Sequence, residues 1–281
     1  MSIASEITRL QTAKANLKTS IEAKGVTVPS NATLDSYSGY VDSISSGGGA
    51  VSTLYVRDFP TIRFGYSSFT SIPSNINFTG VTDFSNMFKR SNITTVSQGD
   101  IDTSSGIDFT SMFDECESLT SVAGIDTSNG TRFEYMFGSC FYLQTLPSLD
   151  TSKGTIFYGA FSYMTRLVTM PEYDLSSATN INNIIEESYN LINLGGFKDL
   201  GKAYLTSKSA NYSYYTLNVL GDSYSPNNKI SYASLMNIIN DLYDIATKGC
   251  KAQKLVLGST LMAKLTAEEI AIATNKGWTV S

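Results

Sequence analysis

Residues 102–197 read DTSSGIDFTSMFDECESLTSVAGI, DTSNGTRFEYMFGSCFYLQTLPSL, DTSKGTIFYGAFSYMTRLVTMPEY and DLSSATNINNIIEESYNLINLGGF, one 24-residue pattern written four times without an insertion. Asp102, Asp126, Asp150 and Asp174 fall in register, as do Phe109, Phe133, Phe157 and Ile181. The same holds for Phe113, Phe137, Phe161 and Ile185, for Leu119, Leu143, Leu167 and Leu191, and for Val122, Leu146, Met170 and Leu194. A looser unit starts near Asn77, with Phe84, Phe88, Ile93 and Val96 in the same roles.

An apolar residue recurring every 20 to 29 residues or so predicts a leucine-rich-repeat solenoid, each unit supplying a short strand and a helical or 3₁₀ segment. The expected fold class is therefore α/β. The L-x-x-L/V/M step would be the strand side and the F-x-x-x-F step one helical turn opposite. A single unit buries too little apolar surface to offset the ordering of 24 residues, so neighbours must stack and both ends need caps.

The MF-x-x-C-x-x-L core with a following DTS, as in SMFDECESLTSV and YMFGSCFYLQTL, resembles the BspA-type leucine-rich repeats of bacterial surface proteins and of phage and prophage proteins. The resemblance covers residues 77–197 and implies a binding or scaffolding surface instead of a reaction. The last unit departs from it, with DLS for DTS and with Ile185 and Glu187 at the aromatic and Cys positions, as in a stack nearing its end.

Composition narrows the function further. The 281 residues are 42% aliphatic or aromatic and only 16% charged, with a formal charge of -5, which argues against a surface that tracks phosphates. The chain has no histidine, so Ser-His-Asp and Cys-His activation and imidazole bases are excluded. Glu186 and Glu187 are adjacent and mark no acid–base pair, and Gly47–Gly49 lack the Lys-Ser or Lys-Thr of a phosphate loop. No enzyme, no cofactor and no metal site is expected. Cys116 and Cys140 would lie on adjacent rungs, either as stacked reduced thiols or, less naturally, as a disulfide. The Asp column either forms side-chain-to-backbone turns or holds a cation; Asp followed by Thr-Ser favours the turns.

In the N-terminal stretch, Ile3, Ile7, Leu10, Lys14, Leu17 and Ile21 are spaced four and three residues apart, the seam of a coiled coil. Either it docks in an oligomer, a trimer being favoured, or it forms a helical hairpin with residues 33–44. Residues 1–44 resemble a segment that opens phage and prophage structural and tail proteins of gut bacteria, which implies attachment to other virion proteins. The domains expected are an attachment and oligomerisation segment over residues 1–46, a glycine-rich linker over 47–50, the solenoid with its first cap strand over 51–205, and a last rung with an αβαβ cap over 206–281.

Leu54, Val56, Ile62 and Phe64 are the expected buried set of the first cap. Near the other end, Tyr212, Tyr214, Tyr215 and Tyr224 lie among Ser, Asn and Gly, as in antibody recognition loops; they are binding candidates, or else half-buried residues of one more rung. A helix from Tyr232 to about Thr247, a strand at KLVLG, a helix opened by a Thr266–Glu269 capping box and a strand at WTVS should close the chain. No secretory signal and no 18-residue apolar span is read. The expectation is a non-enzymatic bacteriophage virion protein, fibre or decoration, displaying its repeats for adhesion to a host surface protein or glycan. The alternatives are a purely structural virion component, a bacterial cell-surface adhesin or a protein-binding adaptor.

Overall fold

The computed structural model describes residues 3–23, 26–30, 53–59, 62–202, 216–217, 229–248 and 250–281. The Gly-rich linker, the second helix at 33–44 and the four candidate tyrosines lie outside them. Helix α1 (Ile3–Glu22) comes first, followed by the two-residue strands β1 (Leu54–Tyr55), β2 (Ile76–Asn77), β3 (Thr95–Val96) and β4 (Ser121–Val122). The longer strands β5 (Thr169–Asp174) and β6 (Asn193–Lys198) follow. After β7 (Thr216–Leu217) come α2 (Tyr232–Asp241), β8 (Gln253–Leu255), the short α3 (Ser259–Met262), α4 (Ala267–Asn275) and β9 (Trp278–Val280).

The α/β leucine-rich-repeat solenoid expected from the sequence is not what the chain forms. The repeats are mostly turns, and no helix occurs within residues 77–197. In every unit the F-x-x-x-F step contains a residue at positive φ two places after the first Phe position, and another follows four places later. The first set is Asn86, Ser111, Tyr135, Gly159 and Asn183, and the second is Arg90, Glu115, Ser139, Tyr163 and Glu187. All lie between φ 50° and 60°. An α-helix requires consecutive right-handed residues, so two left-handed ones four apart forbid it.

The strand side is equally broken, into separate two-stranded parallel sheets β1–β2, β3–β4 and β5–β6. Its interruption has a covalent cause. Ala123 donates its amide to the Val96 carbonyl one rung back, but one repeat later that position is Pro147, which has no N–H.

Order comes instead from hydrogen bonds between turns. Phe133, Tyr135, Phe137 and Ser139 donate to the carbonyls of Ile156, Tyr158, Ala160 and Ser162 on the next rung, and the units before and after repeat the pattern. Between these donors the chain closes i→i+3 turns, such as Met136 to Phe133. The side chains beneath stack in register. Phe84, Phe109, Phe133 and Phe157 form one column with centroids 5.6, 5.6 and 4.9 Å apart. A second column runs Phe64, Phe88, Phe113, Phe137, Phe161 and ends on Tyr173. The Tyr173 hydroxyl is satisfied by the Pro147 carbonyl at 2.7 Å.

The coiled coil is corrected as well. Leu17 and Ile21 are buried within their own chain, against Val28 and the half-buried Val26, Leu54 and Ile62, and Leu54 and Ile62 also pack on the main core. Two seam positions are thus spent on this protein's own first strand region. In that region Val56 and Phe64 are buried as expected, but Val56 starts a 3₁₀ turn (Val56–Asp58) instead of continuing a strand.

Helix α2 covers the open edge of β6 and supplies the hydrogen bonds that a further strand would have made. The Ser234 hydroxyl accepts from the Leu194 amide, Asn237 donates to the Leu194 carbonyl, and Asp241 accepts from the Phe197 amide at 2.7 Å. The helix is capped by Ser231, whose side chain accepts from the Ser234 amide. It stops at Asp241, short of the expected Thr247, because Leu242 turns extended and pairs with Leu200. Beyond it, β7, β8 and β9 form a parallel sheet, α3 adds a turn of helix that the sequence reading did not anticipate, and the Thr266–Glu269 capping box opens α4.

Burial pushes the Asp241 carboxyl pKa up, and the nearby Glu172 and Asp199 add to this against the opposing Phe197 amide and Lys276. A raised carboxyl means that the folded chain binds protons more readily than the unfolded one, so this group's contribution to stability falls as pH rises through the window above the ordinary Asp range. The wild type should therefore lose stability relative to Asp241→Asn between mildly acidic and neutral pH. Asp241→Ala, which strands the Phe197 amide, should cost about 1–3 kcal/mol in chemical denaturation.

Candidate binding face

Two left-handed columns run along the turns, the first exposed or half-buried throughout and the second buried at Ser111 and Gly159. One runs Tyr66, Arg90, Glu115, Ser139, Tyr163, Glu187, the other Asn86, Ser111, Tyr135, Gly159, Asn183. A non-glycine residue in this conformation is disfavoured; from Tyr66 to Tyr163 it is held in place because its amide donates to the next rung.

At the start of the stack the face is charged and paired. Lys89 contacts Asp114 at 2.7 Å and Glu115 at 3.7 Å, and Arg90 contacts Glu115 at 2.6 Å. Burial pushes the Asp114 carboxyl up, opposed by its bond to Lys89, while the bond to Arg90 holds Glu115 down. Arg132 is clasped between Asp108 and Glu134. Further along, the face becomes aromatic. Tyr135 and Tyr158 meet edge to face with centroids 5.3 Å apart. The Tyr135 ring lies over Gly159, where an added Cβ would come within 2.5 Å of Cε1. Burial, with the neighbouring Tyr158, pushes the Tyr135 hydroxyl up to about 12. Tyr163 is 42% exposed, and the charge of Glu186 raises its hydroxyl pKa.

The residues singled out from the sequence are placed unevenly. Tyr212, Tyr214, Tyr215 and Tyr224 lie outside the described residues, as do the side chains of Ile3, Ile7 and Leu10, and Lys14 is half-buried. Asp102, Asp126, Asp150 and Asp174 each accept the amide two residues on, from Ser104, Ser128, Ser152 and Ser176. These are the side-chain turns favoured over a cation, and no group of three or more acidic or Cys ligands gathers among the described residues. Cys116 and Cys140 are free, buried thiols that donate to the Phe88 and Phe113 carbonyls. Burial pushes the Cys116 thiol up to about 11, away from reactivity.

The outward tyrosines 66, 135, 142, 158 and 163 were missed. Their signal was available in principle, as aromatic residues at register positions where sister repeats carry Ser, Glu, Arg or Gly. The left-handed backbone at Tyr66, Tyr135 and Tyr163 was not.

The model of a family described as "Mycoplasma protein of unknown function, DUF285" matches twice, over residues 58–170 and 82–195. The two matches start one 24-residue repeat apart, as expected when a model spanning several units can be laid on a periodic stack in two registers. The match supports a BspA-related repeat protein. No curated protein and no solved structure matches the chain significantly. Among the described residues no helix is long and apolar enough to cross a membrane.

Proposed function

We propose that this chain is a non-enzymatic bacteriophage virion protein, fibre or decoration, that displays its repeat face for adhesion to a host cell surface protein or glycan and attaches to other virion proteins through residues 1–46. One observation carries the display reading. Inward positions stay buried and mostly apolar from rung to rung, with Phe at two of them in most units and Leu at a third, while the outward column changes from Tyr66 to Arg90, Glu115, Ser139, Tyr163 and Glu187. A scaffold held constant inside and varied outside is suited to presenting contacts, and stacked repeats offer an extended surface for them. The virion assignment is supported by the resemblance of the first 44 residues to the opening segment of phage structural proteins.

The reading is tested by electron microscopy of particles labelled with an antibody to the repeats, together with competition for adsorption by the purified chain. Label on projecting structures and a dose-dependent loss of adsorption are expected. Particles that carry no label would overturn the virion assignment, and unchanged adsorption would overturn the adhesive role.

A further inference from the structure

Two neighbouring columns of the stack change chemistry at one rung. Asp83, Asp108, Arg132, Ile156 and Asn180 are joined from rung to rung by parallel bridges, and two residues after each stand Ser85, Thr110, Glu134, Tyr158 and Asn182. The residues between them, Phe84, Phe109, Phe133, Phe157 and Ile181, are buried, whereas every member of the two flanking columns is exposed or half-buried. Most rungs use this pair of positions on themselves. Asp83, Asp108 and Asn180 accept the amides of Ser85, Thr110 and Asn182 at 2.8, 2.9 and 3.2 Å, and Arg132 is shared between Asp108 and Glu134. The rung of Ile156 and Tyr158 is instead an apolar step. The Tyr158 ring is steadied by Tyr135, edge to face at 5.3 Å. Phe157 and Gly159 donate their amides to the carbonyls of Asn180 and Asn182 at 2.7 and 3.1 Å, which sets the two asparagines beside the step. Apart from the bond that Asn180 Oδ1 accepts, their side-chain amides make no hydrogen bond among the described residues.

We propose that the step at Ile156 and Tyr158, with Glu134 on one side and Asn180 and Asn182 on the other, is a subsite for an uncharged hexopyranose unit of a glycan. The C–H face of the sugar lies on Tyr158 and Ile156, and its hydroxyls donate to the Glu134 carboxylate and exchange hydrogen bonds with the asparagine amides. At about 4.8 Å per rung the three rungs span roughly 10 Å, the breadth of one sugar ring with its hydroxyls. An apolar floor with a few polar groups at its edges suits a ligand that is itself apolar on its face and polar around its rim. Arg132 is already held by two carboxylates, so no cation is left for an acidic sugar. An apolar side chain of a protein partner would leave the polar edges without hydrogen bonds. The subsite rests on the adhesive reading above, from which it selects the glycan.

The test is affinity electrophoresis of the full chain through gels holding dextran, mannan or galactan, with polygalacturonate as the acidic control, alongside competition for adsorption to host cells. At least one neutral polysaccharide should retard the protein and polygalacturonate should not. Tyr158→Ala should weaken that retardation about fivefold or more, whereas Tyr158→Phe, which keeps the ring, should retain it. Asn182→Ala, which touches no buried packing, should weaken it about two- to fivefold with an unchanged melting temperature. No retardation by any neutral polysaccharide, retardation by polygalacturonate alone, or equal retardation of the wild type, Tyr158→Ala and Asn182→Ala would overturn the proposal. Competition on cells that Tyr158→Ala performs as well as the wild type, or that is lost on protease treatment of the cells but not on periodate oxidation of their glycans, would overturn the subsite and leave adhesion standing. Tyr158-dependent retardation alongside failed competition would uphold the subsite while removing the adhesive role.

Discussion

Phe133→Ala should destabilise the protein by about 3–5 kcal/mol, the largest loss expected from any single truncation in the repeats. Its ring is fully buried and lies between Phe109 and Phe157, nearly parallel to both at 5.6 and 4.9 Å. The rungs are tied by hydrogen bonds at fixed spacing, so neighbouring units cannot close on the gap, and the lost contacts add to the lost transfer energy. Equilibrium urea denaturation measures the effect. A loss below about 1 kcal/mol would mean that the columns are free to repack.

The second large effect comes from a residue with no side chain. Gly106, Gly130 and Gly154 each precede the first Phe of their unit by three positions, and a Cβ at any of them would sit 2.2–2.5 Å from Cζ of that Phe. None of the three needs a left-handed backbone; what each lacks is room. In the last unit the pair changes together, to Ala178 and Ile181, both buried. Gly130→Ala should therefore cost about 1–3 kcal/mol through overpacking. Gly130→Ala combined with Phe133→Ile, which copies the last unit, should recover part of the loss carried by Gly130→Ala in the Phe133 background. A double-mutant cycle with no coupling would show that glycine and ring do not compete for one volume.

The sequence alone determined the period, the register and the inward set, because burying an apolar side chain is strong, local in sequence and repeated. Phe109, Phe133 and Phe157, and likewise Leu119, Leu143 and Leu167, are buried at every occurrence. It also determined the Asp turns and the caps at Ser231 and Thr266, where a side chain meets an amide two or three residues away. The backbone between those anchors was decided only by the tertiary structure. F-x-x-x-F fits a helical turn, yet residues such as Glu115, Tyr135 and Tyr163 adopt φ of 50–59°, a conformation they disfavour alone and keep only because each amide finds a carbonyl on the next rung. The same long-range term ends α2 at Leu242, which leaves the helix to pair with Leu200, and draws Leu17 and Ile21 onto their own chain. The left-handed backbone at Tyr66, Tyr135 and Tyr163 on the candidate face is kept by hydrogen bonds to carbonyls 23 residues on, beyond the reach of any local pattern.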